Sequence, residues 1–203
     1  MELVEALSLP DGPERTTAIV AWIQSLFIES AQVPVLVGGG AVEIFTGGAY
    51  TTGDLDFVGS VPKAIGTILE NNGFERAGRH WIHREGQVFL EFPGSSLGPN
   101  ERHVRYQAFG HDIELVSIED LLVDRLGAWD YWKSGVDGAN AFVLYRTCRH
   151  EIDHERLQAR ATEEGFEDAL RALLAFDKEW SLSDPDDEVL EEWANRGPAT
   201  VDE

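Results

Sequence analysis

Residues 33–59, VPVLVGGGAVEIFTGGAYTTGDLDFVG, constrain the fold of this chain more than any other stretch. The apolar, β-branched run at its start reads as an interior strand. Gly38, Gly39 and Gly40 end that strand, AVEIF makes about a turn and a half of helix, and GGAYTTG is a loop by composition. DLDFVG is then a second strand, and it opens on two acids. Asp54 and Asp56 stand two apart on a β pattern, so both side chains leave the same face of the sheet. Carboxylates held that close repel each other unless a divalent cation neutralises them. A glycine turn that opens a helix exposes backbone N–H groups suited to phosphate. The stretch therefore predicts a site for metal and phosphate together.

The flanking sequence supplies the rest of a mixed architecture. Residues 13–30 carry apolar side chains at Ala18, Val20, Ala21, Ile23, Leu26 and Phe27, a helical spacing with Pro13 in the first turn. Residues 61–72 read as a helix stopped by Gly73. Short strands are expected around 75–84, at 87–92, and in HVRYQAF and HDIELV, with Arg84-Glu85-Gly86 as a hairpin turn. At Ser117 the period changes: Ser-Ile-Glu-Asp resembles a capping box, and helices follow at about 117–132, 136–147, 153–163 and 166–180. This divides the chain into an α+β core over 1–116, a helical subdomain over 117–180 and an acidic tail over 181–203 expected to fray.

Glu91 adds to the carboxylate pair. It lies inside the strand VFLEF among large apolar neighbours, where a carboxylate needs a partner. If that strand lies beside DLDFV, three carboxylates converge. Three acidic oxygen donors with vacancies for phosphate and water suit Mg²⁺ and the two-metal scheme of in-line displacement. Taken singly, Asp54 and Asp56 could cap a solvated turn, and Glu91 could be a salt-bridged edge residue.

The order of these residues resembles the DNA polymerase β-like nucleotidyltransferase superfamily. Its signature, hG[GS] followed by [DE]h[DE]h, is matched by Val37-Gly38-Gly39 and, after the spacer 40–53, by Asp54-Leu55-Asp56-Phe57. Thr52-Gly53-Asp54 is similar to the T-x-D that precedes the second motif, Leu90-Glu91-Phe92-Pro93 to the third-acid strand, and the helix from Ser117 to the opening of the C-terminal half. Within the superfamily the likeness is to small stand-alone prokaryotic proteins related to abortive-infection type II toxins, over residues 33–180. Toxin relatives carry a basic residue two places before the threonine, where this chain has Tyr50. The resemblance implies a nucleotidyltransferase core of mixed sheet and helices followed by a C-terminal helical bundle. It implies transfer of an NMP group from an NTP to RNA, a protein or a small molecule, and an antitoxin as a candidate partner. Two Mg²⁺ (or Mn²⁺) ions would sit on Asp54, Asp56 and Glu91, with Glu91 also placed to act as general base. Gly38, Gly39 and Thr52 would bind the nucleotide. Arg125 and Lys133, with Arg84 behind them, are the candidate phosphate cations; ion pairs with Asp124 or Asp130 are the alternative for the first two. The competing expectation is a non-catalytic nucleotide-binding or interaction module that keeps the fold.

Other motifs carry less. His150-Glu151-Ile152-Asp153-His154 is literally H-E-x-x-H, which binds zinc when both histidines share one helix. Charged flanks and a position at an expected helix junction favour a solvated connector. Gly38-Gly39-Gly40 does not extend to G-x-G-x-x-G, since Glu43 stands at the last position. Trp129, Tyr131 and Trp132 could stack a base, but aromatics at helical spacing are more often core.

Composition sets the outer bounds. A chain of 203 residues with 43% apolar residues and 6 tryptophans can bury a core. It holds no apolar run of the ~20 residues that span a bilayer, so no membrane association is expected. The N-terminus lacks a signal pattern, and lone Cys148 cannot pair within the chain, which points to a reducing cytoplasm. Acids outnumber bases 37 to 16, and Lys63, Lys133 and Lys178 are the only lysines. Such a surface resembles those of salt-in halophiles, where ~1 M salt shortens the Debye length to ~3 Å. On that hypothesis dialysis into low salt unfolds the protein, as circular dichroism would show; undiminished stability there removes the halophilic reading.

Overall fold

A computed structural model describes residues 2–30 and 32–198, and the last residues of the acidic tail, 199–203, lie outside the described part. The chain divides into two compact units between Ser117 and Ile118. Among the described residues no helix is long and apolar enough to cross a membrane. The architecture is mixed α+β.

The first unit runs α1 (Leu3–Leu7), α2 (Pro13–Ser25), β1 (Val35–Val37), α3 (Gly38–Phe45), β2 (Asp54–Val58), α4 (Lys63–Asn71), β3 (Glu75–Ala77), β4 (His80–His83), β5 (Val88–Gly94), β6 (His103–Ala108) and β7 (His111–Val116). Its strands form one seven-stranded sheet in the order β3-β4-β5-β2-β1-β7-β6. The β2–β5 and β1–β7 pairs are parallel and the others antiparallel. Leu36, Leu55, Phe57, Leu90, Ile113 and Leu115 alternate onto one face and are buried. The neighbouring positions, Asp54, Asp56 and Glu91 among them, face the other way.

One buried polar side chain fastens the helical layer to the sheet. Gln24 of α2 donates from Nε2 to the carbonyls of Pro34 (2.7 Å) and Glu114 (2.8 Å), and its Oε1 accepts from the Glu114 N–H (2.8 Å). A buried amide is tolerated because both its ends are satisfied.

Three expectations about local structure change. The helix expected over 13–30 ends at Ser25, and turns carry the chain onward to Ser30. The strand expected around 75–84 is a hairpin, because Gly78 takes the left-handed conformation (φ 67°) and folds β4 back on β3. The tail expected to fray contains a helix, held by contacts remote in sequence.

The second unit comprises α5 (Ile118–Tyr131), α6 (Gly135–Cys148), α7 (His154–Glu164), α8 (Glu167–Glu179) and α9 (Asp187–Arg196). α9 begins where the Asp186 side chain accepts the Val189 N–H. Trp193 stacks on Phe176 with ring centroids 4.3 Å apart, and the Trp129 indole donates to the Ala194 carbonyl at 2.7 Å. The H-E-x-x-H run does not lie on one helix. α6 ends at Cys148, α7 begins at His154, and Asp153 caps α7 by accepting the Arg156 N–H.

Acids at the start of α5 bind this unit together. Asp120, with its side chain 1% exposed, pairs with Arg156 and with Arg160 Nε at 2.8 Å. Glu119 Oε1 accepts the Asp153 N–H at 2.9 Å. Burial pulls the Arg160 pKa down, but hydrogen bonds to Asp120, Glu163 and Glu164 outweigh it, and the net direction is upward. Removing one member of a buried pair leaves its partner uncompensated, typically at about 3–5 kcal/mol. Asp120→Asn is therefore expected to destabilise the protein by about 3 kcal/mol in urea unfolding. Arg171→Ala, which breaks the exposed pair with Asp168, is expected to change it by less than about 1 kcal/mol.

Candidate active site

Strand register assembles the site. Asp56 pairs with Val37 of β1 on one side and with Glu91 of β5 on the other, and Glu91 pairs in turn with His80 of β4. Paired residues on adjacent strands lie about one strand spacing apart, ~4.8 Å, and point the same way. A row His80–Glu91–Asp56–Val37 thus crosses four strands on one face. Asp54 stands one step up β2, opposite Phe89, and its side chain makes no ion pair among the described residues.

The three glycines each answer a different neighbour. A Cβ on Gly38, where φ is 65°, would lie 2.6 Å from Asp56 Oδ2. One on Gly39 would lie 2.8 Å from Thr52 Oγ1, and one on Gly40 would lie 2.8 Å from Leu55 Cδ2 in the core. Carboxylate, hydroxyl and core all press on the start of α3, so side chains there are excluded. The first turn of α3 consequently opens on residues without side chains, and its N-cap residue Val37 makes no side-chain capping bond. The positive end of the helix dipole begins beside Asp56.

Thr52 shapes the entry to β2. Its Oγ1 donates to the Asp54 carbonyl at 3.1 Å and accepts the Asp54 N–H at 3.3 Å. Its own N–H donates to Glu43 Oε2 at 3.3 Å, and Glu43, on α3, is 2% exposed. Glu43 is thus a positioning residue that joins α3 to the loop carrying Thr52. The sequence offered one signal for it, an acid in the otherwise apolar AVEIF.

Glu91 meets an arginine and a histidine in its immediate surroundings. Its Oε1 lies 2.8 Å from Arg79 Nη2, and its Oε2 lies 3.6 Å from His80 Nδ1. Both partners sit in the β3–β4 hairpin, which a reading of 75–84 as one strand does not place beside Glu91. Asp54 and Asp56 are hard oxygen donors on one face and fit Mg²⁺ in type. Glu91 is an oxygen donor of the same type, but here its carboxylate is held by Arg79. Among the described residues no group of three or more His, Cys, Asp or Glu side chains is arranged so that it could hold a metal ion.

The candidate phosphate cations have carboxylate partners. Arg125 binds Asp137 at 2.6 Å and Asp124 at 2.5 Å, and Lys133 lies 3.3 Å from Asp130. Both belong to the helical unit. Arg84 pairs with Glu75 at 3.0 Å, at the end of β4 remote from His80. Of the three aromatics, Trp129 is core, whereas Tyr131 and Trp132 are 73% and 76% exposed.

No protein-family model matches the sequence, and no curated protein matches it. Among solved structures the chain is similar to the crystal structure of an antigenic nucleotidyltransferase-like protein from Paracoccidioides brasiliensis. The TM-score is 0.57 at 16% identity, over 85% of this chain and 93% of that one. The fold is therefore nucleotidyltransferase-like.

Gly38 is the test of this geometry. A non-glycine residue in the left-handed region loses roughly 1–2 kcal/mol, and Asp56 must also move. Gly38→Ala is expected to lower stability by roughly 2 kcal/mol in urea unfolding. Gly53→Ala, where a Cβ meets nothing within 4 Å, is expected to stay within about 0.5 kcal/mol.

Proposed function

We propose that this protein is a nucleotidyltransferase, moving an NMP group from an NTP to a hydroxyl acceptor with release of pyrophosphate. The observation that carries the reading is the position of Asp56, paired with Glu91 on one side and pressed against the glycine start of α3 on the other. The bare N–H groups of Gly38 to Gly40 would hold phosphate oxygens. Asp54 and Asp56 would hold two Mg²⁺ ions, or Mn²⁺, with Glu91 joining them; bound there, the ions would neutralise charge on the attacking and leaving oxygens. The acceptor oxygen bonds to the α-phosphorus, the bond from that phosphorus to the bridging oxygen breaks, and pyrophosphate leaves. Glu91 would take the acceptor's proton. Thr52 and Glu43 keep Asp54 oriented.

RNA, a protein or a small molecule could serve as acceptor. The toxin-type version of the reading, with an antitoxin as partner, rests on the sequence resemblance. The ion pairs of Arg125, Lys133 and Arg84 favour a second reading, a module that binds nucleotide without turnover.

Labelled NTPs with Mg²⁺, incubated with cell RNA and protein, separate the two. The enzyme reading expects label transfer that falls at least about 100-fold, ~2.7 kcal/mol, in Asp54→Ala and Asp56→Ala. Mg²⁺-dependent NTP binding without transfer supports the module. Neither binding nor transfer defeats both.

A further inference from the structure

The seven-stranded sheet ends on two edges of different kind. β3 is one, three residues long and carrying the charges of Glu75 and Arg76. The other is β6, six residues long and paired with β7 in one uninterrupted register from His103↔Val116 to Ala108↔His111. An open edge is a template for a further strand, and proteins blunt it with brevity, lysine, proline or a bulge. β3 is short; β6 has none of the four devices.

Three features fix the hydrogen-bond parity of β6. The Ser117 N–H donates to the Arg102 carbonyl at 2.8 Å, which makes Arg102 and Ser117 a hydrogen-bonded pair. The alternation of an antiparallel ladder then turns the N–H and C=O groups of Val104, Tyr106 and Ala108 toward β7. The two-residue turn at Phe109 and Gly110, with φ of 51° and 78°, closes the ladder on the Ala108–His111 pair, as a type I′ hairpin does. On the far side of β7, Gln24 takes the N–H and carbonyl of Glu114, as the same alternation requires. The backbone groups of His103, Arg105 and Gln107 therefore point away from β7. All three residues are exposed, and those groups have no hydrogen-bond partner among the described residues.

We propose that β6 is a docking edge that takes an extended, acidic segment of a partner protein as a further strand of the sheet. The inference is independent of nucleotidyl transfer. Backbone bonds to His103, Arg105 and Gln107 would supply affinity, and alternate side chains would supply selectivity. Charge decides the occupant. From Arg102 to His111 the chain has two arginines, two histidines and no acid, in a protein of formal net charge −21. The acids of this face, Asp112 and Glu114, stand on β7, one strand in from the edge. Arg105 gives Nε and Nη2 to Glu114 Oε1 at 2.8 and 2.7 Å, but its Nη1 lies 3.7 Å from Asp112, beyond hydrogen-bond length. Its side chain is 63% exposed. A carboxylate opposite Arg105 on the added strand would meet that free end of the guanidinium. The residues on either side of it would lie beside half-buried Val104 and Tyr106, where apolar side chains fit. A second copy of this chain fits less well. The antiparallel self-pairing that engages all three outward residues sets Arg105 opposite Arg105, and like charges directly opposite are destabilising.

The test uses the full-length protein and the acetylated, amidated peptide Val-Thr-Val-Glu-Val-Thr-Val, whose glutamate is central whichever way the strand runs. Amide hydrogen exchange follows binding. Saturating peptide is expected to slow exchange at His103, Arg105 and Gln107 by at least about tenfold. Val104, Tyr106 and Ala108, already bonded to β7, are expected not to change. Lysine in place of the glutamate is expected to weaken binding about tenfold. Gln107→Pro, which removes one outward donor and no bond to β7, is expected to weaken it by a similar factor, about tenfold, whereas Gln107→Ala keeps full affinity. Absence of saturable binding, protection without the alternation, or equal affinity for the lysine peptide overturns the docking edge. Protection of the same three amides that grows with protein concentration in the absence of peptide marks a second copy and overturns the acidic occupant. If Gln107→Pro fails to fold, the alternation in the wild-type chain and the charge-reversed peptide still decide.

Discussion

The site depends on one register. Asp56 must face Val37 in an antiparallel pair and Glu91 in a parallel pair at once. A slip of one residue in either pair would turn the carboxylates into the buried face and Leu55 and Phe57 out of it. Hydrophobic burial thus enforces the placement of the acids. Leu55, Phe57 and Leu90 are at most 6% exposed, and the core cannot accept the alternative alternation. The chemistry-bearing residues are held by neighbours that take no part in chemistry.

That arrangement gathers negative charge on one face of an already acidic protein, and the surroundings offset it in two ways. On one flank the start of α3 brings the positive end of the helix dipole against Asp56, a close approach that only glycine permits. On the other flank Arg79 meets Glu91. The first kind of compensation is fixed in the backbone. The second resides in an exposed arginine side chain, which can exchange one anion for another without refolding. The row is thus stabilised rigidly at one end and adjustably at the other.

Much of this was legible in the sequence because it is local. Strand, glycine turn, helix and acid-bearing strand are contiguous, and alternation alone places Asp54 and Asp56 on one face. Glu91 was legible as an acid within an apolar strand, but its adjacency to Asp56 was not, since pairing of β2 with β5 is set by tertiary structure. Arg79 and His80 escaped notice because β3 and β4 are short and largely exposed and carry little hydrophobic pattern. α9 escaped for a different reason. Its acidic composition reads as solvated tail, and the rings against Trp193, those of Trp129, Phe142 and Phe176, are all distant in sequence.

The distribution of cations carries the argument furthest. In the helical unit, Arg156 and Arg160 are held by the buried Asp120, Arg146 by Asp177, and Arg125 by Asp137. Such pairs are already desolvated, and drawing an arginine out of one would strand its acid in the interior. These arginines are therefore structural, however well their positions match a sequence pattern. Arg76 and Arg79 differ in kind: one lies on an aromatic ring with no carboxylate partner among the described residues, and the other pairs with Glu91 from an exposed hairpin turn. Where acids are abundant and bases scarce, an arginine is fixed by the buried acid beside it, and one outside such a pair keeps its charge at the surface.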